Sequence, residues 1–311
     1  MSQHSTNSSV AEVIEDSGAV TLEDATVTGG AEPRKKRNAK KFGWGVVAVF
    51  LALLWAFPIY WMVNSSFLTT RQIQSKTPVF IAFDGTLSNY KTAFADGSLL
   101  RAFKISLMVT GLTLVVALVF AFLAAIAVSR FRFKGRKSFI VTILIVQMIP
   151  AEGLFISQYK MLDGWNLVNS VLGLSIVYIA AILPFTVWML RGFVAGVPAE
   201  LEEAAMVDGL SRTGAFFRIT FPLLAPGLVA AGVYGFLQAW NEYTLALVVM
   251  SKSEMKTLPL WLQGVSEQAT KATDWGMVMA SSTVIAIPVI IFFLFVQNKL
   301  TSGLVAGAVK G

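Results

Sequence analysis

Stretches of this chain carry no charge for long enough to cross a membrane, and that restricts its fold more than any other feature. About 20 helical residues cross the ~30 Å hydrocarbon core of a bilayer. Six apolar segments of that order follow one another, at 44–66, 105–129, 138–159, 171–190, 226–250 and 275–298. The third holds a single acid, Glu152, and the fifth a single acid, Glu242. The runs are continuous and do not alternate with polar residues, so their backbone groups are satisfied within helices and not in a barrel. The expectation is an all-α integral membrane protein with six transmembrane helices. Charged residues make up 14% of the chain, against about a quarter in soluble domains, which agrees. No cysteine and a single histidine, His4, exclude disulfides, thiolate nucleophiles, histidine metal clusters and Ser-His catalysis. The net charge of +7 does not lie on a polar domain, so no nucleic-acid partner is expected.

The first 33 residues hold six acids, no Lys or Arg, and many Ser, Thr and Gly. Such a segment buries too little apolar area to offset the entropy of ordering, so residues 1–43 are expected to form a disordered tail. A cleaved signal peptide needs a basic start and an apolar run within roughly the first 30 residues. Here the basic run Arg34, Lys35, Lys36 and Arg37 comes late, and the tail is expected to be retained. Orientation follows from Lys and Arg in short loops. The segment before the first span is basic, and the tight loop after the second packs Arg130, Arg132, Lys134, Arg136 and Lys137. Both are expected on the cytoplasmic side, and with them both termini. The longer loop 67–104 also carries five basic residues against Asp84 and Asp96, but a loop of that length weighs less than a tight turn.

Between the fourth and fifth spans, over 191–226, the chain does not read as a simple connector. Pro198 suits the first turn of a helix. Glu200, Glu202 and Glu203 sit where the positive end of the helix dipole favours acids, and Gly209 suits the left-handed residue after the last turn. Ser211 caps a second helix, through Phe216, Phe217 and Ile219, which Pro222 is expected to stop. Two short helices, the first kept narrow by Ala204 and Ala205, are thus expected on the cytoplasmic face.

The run Glu203-Ala204-Ala205, Asp208-Gly209, Phe216, Ile219, Pro222-Leu223 and Pro226 resembles the coupling loop of bacterial ATP-binding-cassette importer permeases. Phe221 stands where that family more often has Leu. Within the family the chain is similar to the carbohydrate permeases of the maltose type, specifically the shorter six-helix partner of a two-permease pair. Trp240-Asn241-Glu242-Tyr243, the Leu183-Pro184 and Trp188 segment, and the glycine-rich end from Gly303 add to the likeness. The resemblance covers the chain from about the first span onwards but not residues 1–40. It implies a domain over 44–300 and a cytoplasmic tail over 301–311. It also implies a sugar pathway shared with a second permease, an ATPase subunit dimer docked underneath, an extracytoplasmic sugar-binding protein, and a place in the bacterial inner membrane among lipid. Glu203, Ala204, Ala205, Asp208 and Gly209 would form the ATPase-coupling helix. The chain has no GxxxxGK[ST] loop; Gly135-Arg136-Lys137-Ser138 comes nearest and lacks the earlier glycine. ATP and Mg²⁺ would then belong to the partner, and this chain would not be an enzyme.

In the fifth span Tyr234, Gln238 and Asn241 share one helix face, with Glu242 beside them. A buried acid costs about 2.5–3.5 kcal/mol on insertion scales, so Glu242 should face the bundle interior or water. This group is read either as a sugar pathway or as an interhelical hydrogen-bond cluster. Gln147, deep in the third span, joins the pathway candidates, while Glu152 reads as an interfacial acid. Ser281, Ser282 and Thr283 read as a close-packing site. If Glu242 or Glu152 held a proton or cation, the chain would instead be a secondary transporter driven by an ion gradient.

Overall fold

The computed structural model describes the backbone of residues 34–267 and 273–308, with side chains from 43 to 267 and 273 to 297. The expected disorder over 1–33 lies outside the described residues, as do Val309, Lys310 and Gly311 of the expected tail. In chain order the helices are α1 (Arg34–Ser66), α2 (Thr70–Ile73), α3 (Ser88–Phe94), α4 (Ser98–Arg130) and α5 (Arg136–Gln147). A 3₁₀ turn (Ala151–Leu154) leads into α6 (Phe155–Gly164), followed by α7 (Val171–Gly196), α8 (Glu200–Val207) and α9 (Arg212–Ala215). A π turn (Phe216–Thr220) joins α9 to α10 (Phe221–Asn241). The rest is α11 (Thr244–Val249), a 3₁₀ turn (Ser253–Met255), α12 (Leu258–Ser266) and α13 (Trp275–Ala308). No strand occurs among the described residues. Helix α1 begins at Arg34, so residues 34–43 are helical, and α13 runs on through the backbone to Ala308.

The chain divides into two units within α1. The described part of the first, which ends at Phe57, is helix alone, and its side chains from 43 onwards are exposed. The second, from Pro58, holds the core.

Among the described residues, five helical stretches are long and apolar enough to span a bilayer: Gly43–Ser66, Ser98–Arg130, Val171–Gly196, Arg212–Asn241 and Trp275–Gln297. The third expected span is not straight. Arg136–Gln147 and Ala151–Gly164 meet at 93°, so the count is five spans, or six if the bent pair crosses as one. Pro150 explains the break. It lacks an N–H and disfavours helical geometry at Ile149, and its own backbone is extended at φ −62°, ψ 125°. The fifth expected span, 226–250, is displaced too: α10 starts at Phe221 and ends at Asn241, with α11 as a separate short helix.

Helices α4 and α7 form the main pair of the second unit. Thr113, Ala117, Ala121 and Ala125 recur every fourth residue along α4 and are all but fully buried. This stripe of small side chains lets the helices approach closely, the main source of association where lipid tails remove the hydrophobic incentive. Against it lie Val187, Leu190 and Val194 of α7. Helix α10 joins through glycines: a Cβ on Gly227 would lie 2.5 Å from the Phe193 ring, and one on Gly235 would lie 3.1 Å from Leu114. Further along α10, Phe236 stacks on Trp240 (5.6 Å) and on Phe292 of α13 (4.1 Å).

Candidate functional site

The segment after α7 begins at Pro198, just outside α8. Glu200, Glu202 and Glu203 occupy the first turn of α8, where the unpaired N–H groups favour acids. The helix ends in a two-bond glycine turn. The Gly209 N–H donates to the Met206 carbonyl (3.1 Å) and the Leu210 N–H to that of Ala205 (3.0 Å), with Gly209 at φ +94°. Ala205 faces inward and is buried, whereas Glu203, Ala204, Asp208 and Gly209 are exposed. The structure thus holds the five expected coupling residues on one short helix and its turn, four of them open to solvent.

Ser211 caps the next helix, its hydroxyl accepting from the Gly214 N–H at 3.2 Å. That helix does not stop at Pro222 as the sequence suggests. It passes through the π turn, where the Phe221 N–H donates to the Phe216 carbonyl, and continues as α10. Pro222 therefore sits in a first turn and not at an end. The wider π turn makes room just where the ring would press on the carbonyl of Arg218. Phe216, Phe217 and Phe221 pack on one another here, and Phe122 of α4 meets Phe221 at 5.8 Å.

Beneath α8 lies a cavity of about 450 Å³, bordered by Arg130, Glu202, Glu203, Arg212, Phe216 and Thr220 among others. Glu202 accepts a hydrogen bond from the Thr220 hydroxyl (2.5 Å) and pairs with Arg130 across 3.8 Å. Arg130 also donates to the Val197 carbonyl at 2.9 Å. From the sequence Arg130 reads only as a loop charge, and no local signal links it to Glu202, because the contact exists only once α4 and α8 have been brought together.

On α10, Tyr234 and Gln238 lie together, the Gln238 amide 3.5 Å from the Tyr234 hydroxyl, and Tyr234 packs on Phe185 at 4.4 Å. Asn241 donates to the Leu237 carbonyl of its own helix. Glu242 has a different task. The helix breaks there, and its carboxylate accepts from the N–H groups of Leu245 (2.7 Å) and Ala246 (3.1 Å), capping α11, and from the Tyr178 hydroxyl (2.6 Å). The cavity beside it, lined by Tyr178, Gln238 and Glu242, measures about 80 Å³. Ligand pockets for small molecules run to about 300–1,000 Å³, so within this single chain the space is smaller than a sugar site. Gln147 ends α5 at the bend, exposed, and shares no hydrogen bond with the α10 group among the described residues.

Residues 117–304 match the family model described as binding-protein-dependent transport system inner membrane component. The chain is 46% identical over 266 residues to the diacetylchitobiose uptake system permease protein DasC of Streptomyces coelicolor, covering 86% of this chain and 96% of that protein. It is 33% identical over 274 residues to the trehalose/maltose transport system permease protein MalG of Thermococcus litoralis, covering 85% and 95%. A chain in the crystal structure of a bacterial importer of the acidic polysaccharide alginate has the same fold, with a TM-score of 0.69 at 22% identity, over 86% of this chain and 98% of that one.

Proposed function

Because this chain belongs to the family of binding-protein-dependent transport system inner membrane components, we propose that it is one permease of an ATP-driven sugar importer. It is a multi-pass inner-membrane protein. The family match carries the reading, since it runs unbroken from α4 through the 198–226 segment into α13. Named relatives that take up diacetylchitobiose, trehalose or maltose support an oligosaccharide as cargo.

In this reading both termini and the 198–226 segment face the cytoplasm. The exposed Glu203–Ala204 side of α8, with Asp208 and Gly209, docks on a separate ATPase dimer that holds ATP and Mg²⁺. A binding protein delivers the sugar from outside, and a second permease completes the pathway. Closure of the ATPase pair shifts α8, and the helix from Arg212 to Asn241 carries that shift towards Tyr234 and Gln238. Tyr234, Gln238, Asn241 and Gln147 are the proposed lining of the pathway, and Glu242 serves it indirectly by holding the break after α10. An ion-gradient carrier built on Glu242 has less support, because that carboxylate already accepts from Tyr178, Leu245 and Ala246.

The test is uptake into proteoliposomes holding both permeases and the ATPase, with binding protein loaded with diacetylchitobiose, maltose or trehalose in parallel. Uptake of at least one sugar that needs ATP inside the liposome and persists without an ion gradient is expected. Uptake that follows a proton or sodium gradient and ignores ATP overturns the proposal.

A further inference from the structure

We propose that Arg130 is a positioning residue that ties the proposed coupling helix α8 to α4 and α7, so that a shift of α8 moves this helix pair directly. The inference rests on the reading of α8 as the ATPase-docking helix. Three elements converge on one guanidinium. Arg130 is the last residue of α4; its Nη2 donates to the carbonyl of Val197, the residue that follows α7, at 2.9 Å. The same Nη2 faces the Glu202 carboxylate of α8 at 3.8 Å, and both side chains are about four-fifths buried. Glu202 in turn holds the Thr220 hydroxyl in the π turn at 2.5 Å. One residue earlier, the Ser129 hydroxyl donates to the Arg191 carbonyl of α7 at 3.4 Å, so the ends of α4 and α7 are joined twice.

This changes how movement spreads. Through the covalent chain alone, α8 acts on α10 by way of α9 and the π turn. Through Arg130 and Glu202 it also acts on α4, whose small-residue stripe is locked against α7. A partly buried charge pair suits this task better than an apolar contact, because separating it leaves two partly desolvated charges without their partner. A planar guanidinium can hold a carbonyl and a carboxylate at once. Another Arg130 donor, Nε, is buried with no hydrogen-bond partner, beside the cavity of about 450 Å³.

The chain has no cysteine, so a single Phe133→Cys, on a side chain 46% exposed beyond the end of α4, takes one fluorescent label in a complex of cysteine-free partners. The probe is MgATP with vanadate, which closes the ATPase pair. The label is expected to shift its emission on trapping. Arg130→Ala and Glu202→Ala should each lose that shift while the ATPase still copurifies, the double variant should lose no more than either single one, and Arg130→Lys should restore part of it. Glu202→Ala leaves the bond from Arg130 to Val197 intact and so tests the link even if Arg130→Ala folds poorly. An unchanged shift in Glu202→Ala overturns the proposal, and so does the lack of any shift in the labelled parent. If the ATPase fails to copurify with the parent complex, it is the docking reading that falls.

Discussion

At Gly209 the backbone, and not crowding, decides what can stand there. Nothing lies within 4 Å of where a Cβ would project, but φ +94° costs an L-residue about 1–2 kcal/mol. Gly209→Val is therefore expected to lower both transport and ATPase stimulation while membrane insertion stays normal. Gly209→Asn, which tolerates the left-handed region, should retain most of both; uptake and hydrolysis in the same proteoliposomes check this. Glu242 gives the converse case, in which the side chain is everything. Glu242→Ala strands the buried Tyr178 hydroxyl, at about 1–3 kcal/mol, besides uncapping α11. Its thermal midpoint in detergent should drop, and adding Tyr178→Phe should recover part of the loss. The two glycine-turn bonds and the Ser211 cap were legible in the sequence because their partners lie within a few residues. The Glu242 cap was equally local, but an acid inside an apolar run draws attention to the bundle interior and away from the two N–H groups just ahead of it.

Among the elements, what the sequence hid depended on averaging. Hydropathy counting passes over Pro150, because the residues on both sides are apolar, and so joins α5 and α6 into one straight span. Pro222 misleads for another reason: the ring that ends one helix suits the first turn of the next, and only the π turn shows which applies. The four-residue spacing of Thr113, Ala117, Ala121 and Ala125 stood in plain view but counts merely as apolar until a partner helix is known. Ala121→Leu should push α4 from α7, at about 1–3 kcal/mol, and lower the thermal midpoint, whereas Leu at exposed Val119 should not. The entry to α7 is tighter still. A Cβ on Gly173 would stand 2.1 Å from the Leu167 carbonyl oxygen, where the Ser170 hydroxyl already caps the helix. Gly173→Ala should reduce the yield of folded protein more than Ala121→Leu does, as size-exclusion profiles would show.

For the whole molecule, the proposed assembly sets shape against charge at α8. An exposed acid near a helix start contributes only about 0.3–1 kcal/mol through the dipole, so Glu203→Gln should weaken copurification of the ATPase modestly. Ala204→Trp places a bulky ring on the exposed side of a narrow helix and should abolish it. If the bulky variant still pulls down its partner, the docking face lies elsewhere. The π turn at 216–220 bears on the same assembly as an indexing device. Each residue of an α-helix turns the chain by about 100°, and this wider turn absorbs one residue without passing that rotation on, so the segment before it keeps its phase relative to α10. Forcing the same residues into ordinary α geometry would pass the extra residue's rotation on and swing the 198–215 segment about the helix axis by roughly that angle, with every docking side chain still present and none of them aimed as before.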